Sequence, residues 1–345
     1  VILEALTPHA ELKSVGRARF AGSTSTKNYL WFHYRNYLRQ AMANFRVALS
    51  VPNRSSSLLY YYAMLNFAKA ELIDTHSQAI VGRRIGHGLS FDPTRANTVS
   101  GDSLIVREGV FPLLYERRTG HKIPLNTRLP VKRLLSAIPE IGQQFQMSGM
   151  GVSFATGLDM MTAHNGTKSW ILMRVDPTPA VLEKSTARTL LMKHFRFVRP
   201  PAGWKDAFAV SRRHARPVAF LESKVTVPLT STGDFDSTKL HRIVDEIRDL
   251  IHIDVSEDCD AFLSPYLYKT TKLAMPPALA RYAVTYYASS LVRYRPSAFD
   301  AEKFPEQAFL FDAIARECAT PMLADTFTAL HRAQVVFQPT GSLRV

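Results

Sequence analysis

Cysteine is nearly absent: Cys259 and Cys318 are the two thiols in a chain of 345 residues. Two thiols make no disulfide framework, and a chain of this length builds a core without one. A single bridge is the most the count allows, and reduced thiols in the cytoplasm are the expectation. Long apolar runs are also missing. None approaches the ~18 residues of a membrane span, and the opening Val-Ile-Leu-Glu-Ala-Leu has no basic flank ahead of a long apolar core. Neither a membrane partner nor a secretory leader is expected. Among catalytic signatures, the chain lacks a Walker A loop, a dinucleotide-binding glycine fingerprint, zinc-spaced Cys and His, and His-Glu-x-x-His. Gly151-Val152-Ser153-Phe154-Ala155 misses the nucleophile elbow at its last position. Common NTPase, dehydrogenase, metallohydrolase and esterase chemistries are therefore disfavoured, and neither metal nor cofactor is expected. Acidic residues are short as well, 29 against 43 Lys and Arg, for a net charge of +14. An excess of that size suits polyanion partners, nucleic acid first among them.

What is present is mainly helical. Trp31, Tyr34, Leu38 and Met42 recur at steps of three and four, predicting a helix over 27–50 that Pro52 ends. Ser55 and Ser56 are N-cap candidates for a second helix through Leu58, Tyr61, Leu65, Ala68 and Leu72, apolar nearly all round. The short link between them implies an antiparallel pair. Glycines 82, 86, 88 and 101 with Pro93 break every period over 80–104, which reads as loop. Short helices are expected near 108–118 and 130–147. Trp170–Val175, Phe195–Arg199, Val218–Glu222 and Lys224–Val227 read as strands. Helical periodicity resumes at Ser237, with Leu240, Ile243, Val244, Ile247, Leu250 and Ile251 on one face. A helix follows Met275-Pro276-Pro277, and a last one spans 305–337 with an interruption at Pro321. The expected class is α+β, mainly α-helical with a β-containing central insert. The expected division is a helical region 1–148, a basic insert 149–235, and a helical region 236–345 packing on the N-terminal helices.

Four constellations could carry chemistry. Between 188 and 216, Arg188, Lys193, Arg196, Arg199, Lys205, Arg212, Arg213 and Arg216 face a single acid, Asp206, with Phe195, Phe197, Trp204 and Phe208 interleaved. Cations that neutralise phosphates beside aromatic faces that stack on bases describe a single-strand groove. Strand alternation alone gives the same pattern, with Phe195 and Phe197 in the core and Arg196 in solvent. The loop Arg83-Arg84-Ile85-Gly86-His87-Gly88 sets two guanidinium groups and an imidazole among glycines. It suits phosphate binding and proton transfer, or a histidine that merely anchors the loop. Arg293, Tyr294 and Arg295 close a helix, where cations complement the helix dipole or face an anion. Asp245, Arg248, Asp249 and His252 share the polar face of one expected helix, an arrangement more typical of a solvated surface than of an Arg–His cleavage pair.

Two stretches carry a family resemblance. Arg54-Ser55-Ser56-Ser57-Leu58-Leu59-Tyr60-Tyr61-Tyr62 runs into Leu65-Asn66-Phe67-Ala68-Lys69-Ala70 and then Gly86-His87-Gly88-Leu89. Met275-Pro276-Pro277 leads to Ser289-Ser290-Leu291-Val292-Arg293-Tyr294-Arg295-Pro296. Together they resemble the YaaC-like family of bacterial proteins, over about a fifth of the chain. The resemblance implies a mainly helical fold and a distant relation to HEPN-type domains, many of them ribonucleases or nucleic-acid binders of stress and phage defence. Their Arg–His pattern has no clean copy here: Arg188 and His194 have five residues between them, but Thr189 follows the arginine and the segment sits beside the strand-like insert, while Arg248 and His252 have the polar residue but only three between.

The combined expectation is a nucleic-acid-binding protein of stress or antiviral defence, with His87 and Arg84 as the candidate catalytic pair of a metal-independent nuclease. Arg83, Arg188, Lys193, Arg196, Arg199, Arg212, Arg213, Arg293 and Arg295 are the candidate phosphate contacts. The rivals are a non-catalytic subunit bound to a protein partner, and a protein that binds a nucleotide or phosphorylated metabolite.

Overall fold

The computed structural model describes residues 2–82, 85–92, 98–153, 155–176, 186–203, 218–230, 238–247, 251–253, 261–263, 273 and 275–331. The class is α+β and mainly helical, with two antiparallel sheets. The chain divides into two compact units, residues 1–151 with 278–345, and residues 152–277.

The first unit is built on a helical pair. After α1 (Ile2–Glu11) and α2 (Lys13–Arg17), α3 (Thr24–Ser50) begins where the Ser23 hydroxyl accepts the Thr26 amide at 3.2 Å. That bond satisfies one of the amides every helix start leaves open. Trp31, Tyr34, Leu38, Met42 and Phe45 form its buried stripe, as their spacing predicts. Pro52 leads directly into α4 (Asn53–Leu72), so the helix starts ahead of Ser55 and Ser56. The expected serine caps are not formed. Instead Ser56 and Ser57 donate back to the Asn53 carbonyl, at 2.8 and 3.1 Å, inside the first turn. Helix α4 is buried nearly all round and packs along α3.

Helix α5 (Ser77–Val81) precedes a three-stranded sheet, β1 (His87–Asp92), β2 (Ser103–Gly109) and β3 (Arg128–Pro130), ordered β1-β2-β3. The stretch read as loop over 80–104 therefore contains a strand. Gly88 lies within that strand, opposite a bulge in β2. Helices α6 (Val110–Thr119), α7 (Val131–Ser136) and α8 (Gly142–Met147) follow.

Unit two holds β4 (Thr156–His164), β5 (Lys168–Val175), α9 (Thr186–His194), β6 (Phe195–Val198), β7 (Ala219–Ser223), β8 (Val227–Pro228), α10 (Thr238–Ile247), β9 (Ile251–Ile253) and β10 (Ala261–Leu263). Its sheet is ordered β6-β7-β5-β4-β10-β9, with β8 on β5. Alternation along β5 sends Ile171, Met173 and Val175 to one face, where Leu191 of α9 and Leu240, Ile243 and Ile247 of α10 cover them. Two expectations fail here. Lys224–Thr226 is not strand, and only Val227–Pro228 pairs with β5. The helix expected to include Ile251 does not, because Ile251, His252 and Ile253 pair with β10. His252 therefore does not share a helical face with Asp245; Arg248 and Asp249 lie outside the described residues.

The chain returns to unit one with α11 (Pro277–Tyr294), α12 (Pro305–Glu317) and α13 (Ala319–His331). Pro277 opens α11, where its missing amide costs no helical bond, and every residue from Arg281 to Ser290 is buried. Cys318, buried, separates α12 from α13; Cys259 lies outside the described residues.

Charges are buried in this unit with partners. Arg281, fully buried, pairs with Glu140 and with Asp325, the latter at 2.8 Å. Arg118 donates to both oxygens of Glu71, at 3.2 and 2.7 Å. Asp102, also fully buried, accepts from Tyr287 at 2.6 Å and from Arg295.

Candidate functional site

His87 owes its place to two glycines. In the β1–β2 ladder His87 faces Gly109 and Leu89 faces Val106, so β2 carries the extra residue of a bulge, Arg107 and Glu108 standing opposite Gly88 alone. Gly88 has φ +84° and Gly109 φ +148°, both in the region that favours glycine. A Cβ on Gly109 would lie 2.3 Å from the Gly88 amide nitrogen, and one on Gly88 would lie 2.6 Å from the Phe111 nitrogen. Backbone thus lies directly on backbone, and the Gly86 carbonyl accepts the Val110 amide at 3.0 Å where α6 begins.

Held this way, the imidazole meets a ring of tyrosines. Its centroid is 5.5 Å from Tyr61 of α4 and 6.1 Å from Tyr286 of α11. Tyr61 is 5.2 Å from Tyr286 and 6.3 Å from Tyr282, and Tyr282 stacks on Phe111 at 5.9 Å. These are edge and tilted contacts of the kind aromatic quadrupoles favour. Tyr61 and Tyr282 are each 1% exposed and form a closed floor. No hydrogen bond of normal geometry reaches Tyr61 Oη, Tyr282 Oη or His87 Nδ1 among the described residues.

The charges around this ring are of one sign. Burial holds the His87 imidazole below its ordinary pKa, and Arg293 and Lys69 push it further the same way. Burial also lowers the Lys69 ammonium, which lies 5.6 Å from the Tyr37 ring centre. Arg293 is exposed, its Nε donating to the Ser289 carbonyl at 3.1 Å and its guanidinium lying 5.2 Å from the Tyr294 ring centre. Among the described residues, no carboxylate pairs with Lys69 or Arg293. Burial raises the Tyr61, Tyr282 and Tyr286 hydroxyls, so they stay protonated and act as donors.

The other candidate residues are distributed differently. Arg83, Arg84, Arg212 and Arg213 lie outside the described residues, as do Lys205 and Arg216. Arg295 is not beside His87; it serves the buried Asp102 and also donates to Tyr287 at 3.1 Å. In unit two, Lys193 pairs with Glu246 at 3.0 Å and Arg196 with Glu222 at 2.6 Å. His194 Nε2 also lies 3.0 Å from Glu246. Arg199 is exposed. Phe195 is buried, but Phe197, expected beside it in the core, is 38% exposed, with the Arg188 guanidinium 5.5 Å from its ring centre. Strand β6 ends the order of its sheet, so alternation alone does not guarantee cover for each side chain.

Of the expected site residues, the structure brings together His87 and Arg293. It adds Tyr61, Lys69, Tyr282 and Tyr286, which the sequence reading had as packing residues or left aside. One signal pointed to Lys69: beyond Arg54 in the first turn it is the one cation of a helix buried nearly all round, so it has a buried stem to account for.

Comparison with known proteins gives one match. The family model described as YaaC-like Protein matches residues 16–302, most of the chain. No curated protein and no solved structure matches.

Proposed function

The chain belongs to the YaaC-like protein family, and we propose that it binds nucleic acid through a phosphate contact at His87. The observation that carries this reading is the one-signed field at His87: Arg293 and Lys69 both lower its pKa, no carboxylate among the described residues acts on it, and the imidazole packs against the rings of Tyr61 and Tyr286. Cations without counter-ions among the described residues suit an anion rich in oxygen. The net charge of +14 adds long-range attraction for such a partner. Arg188 beside the exposed ring of Phe197 offers a stacking face in unit two. The contribution of Lys193 and Arg196 is reduced by their glutamate partners.

Cleavage is the finer part of the proposal. A histidine held below its ordinary pKa is neutral at pH 7 and has the lone pair a general base needs, while a guanidinium stabilises charge on phosphorus. Arg293, which acts electrostatically on His87, is our candidate for that role; Arg84 remains a second candidate.

The test is a titration of fluorescent RNA and DNA oligomers at two salt concentrations, with the same samples run on a gel. With about three phosphate contacts, affinity falls about 20- to 40-fold between roughly 50 and 200 mM salt. Shortened RNA that disappears in His87→Ala makes the protein a nuclease. Absence of binding at low salt discards the reading. The exposed Leu12, Tyr29 and Phe32 favour the rival reading of a protein-bound subunit, and a stoichiometric co-purifying protein with no polynucleotide affinity would establish it.

A further inference from the structure

We infer that a cleft in the helical unit binds a small zwitterion with an apolar body, an amino acid or short peptide that keeps a free ammonium and a free carboxylate. The cleft encloses about 570 Å³. Four stretches wall it: residues 98–100, the start of α7, residues 147–150 at the end of α8, and the start of α12. None of these residues belongs to the His87 cluster, so the inference stands apart from the nucleic-acid reading.

Local backbone chemistry shapes the walls. The Thr98 carbonyl accepts the Gly101 and Asp102 amides, both at 3.1 Å, in a turn that buries Val99 and leaves Ser100 exposed. Just beyond α8, Gly149 has φ +69°, the left-handed conformation that glycine adopts without strain. The chain turns back there, the Met150 amide donates to the Phe145 carbonyl at 3.3 Å, and Met150 is buried. Buried Val99 and Met150 give the cleft an apolar floor, while exposed Met147 stands at its rim. Thioether side chains adapt to apolar groups of different shape.

Charge decides the class of ligand. Lys132 enters the cleft from α7 and Glu306 from α12. Both are exposed, and among the described residues neither has an ion-pair partner, the other included. The Lys132 ammonium lies toward the 149–151 backbone, where a Cβ on Gly151 would be 3.8 Å from its Nζ. A simple anion would gain at Lys132 and lose at Glu306, and a simple cation the reverse. A ligand with both signs gains at each. Between the two charges, the Ser100 hydroxyl and the Gln307 carboxamide offer donors and acceptors that match an amide bond. The volume falls among pockets that take small ligands, roughly 300–1,000 Å³, and leaves room for a dipeptide.

The experiment is calorimetric titration of the full chain with leucine, methionine and phenylalanine and with the three corresponding homodipeptides. The tightest binder is then tested as its N-acetyl form, which lacks the ammonium, and as its C-terminal amide, which lacks the carboxylate. Each form is titrated into the wild type, Glu306→Gln, Lys132→Met and the surface control Lys122→Gln, with circular dichroism confirming that each variant is folded. Each block should weaken binding to the wild type about tenfold, the scale of one charge-assisted contact. Acetylation should cost nothing further in Glu306→Gln, amidation should cost nothing further in Lys132→Met, and Lys122→Gln should keep both losses. A dipeptide that binds more tightly than its amino acid assigns the cleft to short peptides; equal or tighter binding of the amino acid assigns it to amino acids. Absence of binding by all six compounds at millimolar concentration overturns the inference. Affinity indifferent to either block overturns the zwitterion, and a loss that persists in the variant meant to abolish it overturns the placing of that end in this cleft.

Discussion

The two units handle charge in opposite ways. In the unit built on α3, α4 and α11, Arg281 is fully buried between Glu140 and Asp325. In the sheet unit, Arg196 is two-thirds exposed beside Glu222. Water screens the second pair and barely reaches the first. A buried cation that loses its partners, or buried carboxylates that lose their cation, bear the full cost of desolvation; an exposed pair falls back on solvent. Ion pairs with similar short contacts therefore have very different consequences for stability.

The comparison is sharpest at Arg281. Arg281→Met should destabilise the protein by about 3–5 kcal/mol, because Glu140 and Asp325 remain buried without their cation. Chemical denaturation checks this, and adding Glu140→Gln and Asp325→Asn should recover part of the loss. Gly109→Ala should cost about 2–3 kcal/mol, since its φ of +148° and the Gly88 nitrogen leave no place for a methyl; the same variant should weaken any activity that depends on His87. Removing one hydroxyl in Tyr287→Phe should cost about 1–3 kcal/mol by depriving buried Asp102 of a donor.

Acid should act on the first unit through His331. Burial first, then His9 and Arg19, lower this imidazole to about 4; its ring stacks on Phe327 at 4.0 Å and meets His9 edge-on at 4.2 Å. The unfolded chain binds its proton near 6.5, so this contribution is complete above that value and is lost as pH falls from 6.5 toward 4. With the ring only half-buried, solvent screening reduces the effect to about 1 kcal/mol. His331→Phe should flatten the stability profile across that window. At the small end, Arg196→Ala should change stability by less than about 1 kcal/mol. A loss there as large as that at Arg281 would break the contrast between the units.

The helices were legible in the sequence for a physical reason. The stripe from Trp31 to Met42 and the all-round burial of α4 are local periodicities, and the buried run of α11 follows a proline suited to its first turn. Strand β1 was not legible, because Gly86 and Gly88 look like loop residues until Gly109 is known to lie against them. The end of α10 was missed because Leu250 and Ile251 continue its apolar period, while pairing with β10 draws Ile251 into a strand. At the site, His87 stood out by its neighbours in sequence. Tyr61 and Tyr286 did not, since each sits on the apolar face of its own helix, and only the fold brings α4, β1 and α11 together. The Arg281 network had one visible sign, a cation amid Leu279, Ala280, Tyr282 and Ala283.

The helical unit is made of two separated stretches of chain, with residues 152–277 between them. A ribosome reading along the chain delivers Glu140 well before Arg281. At roughly 5–20 residues per second, this carboxylate waits on the order of ten seconds for its cation. During that interval the nascent first stretch holds an acid of its future core without the charge that lets it be buried, so the vectorial order of synthesis keeps that corner open until α11 emerges.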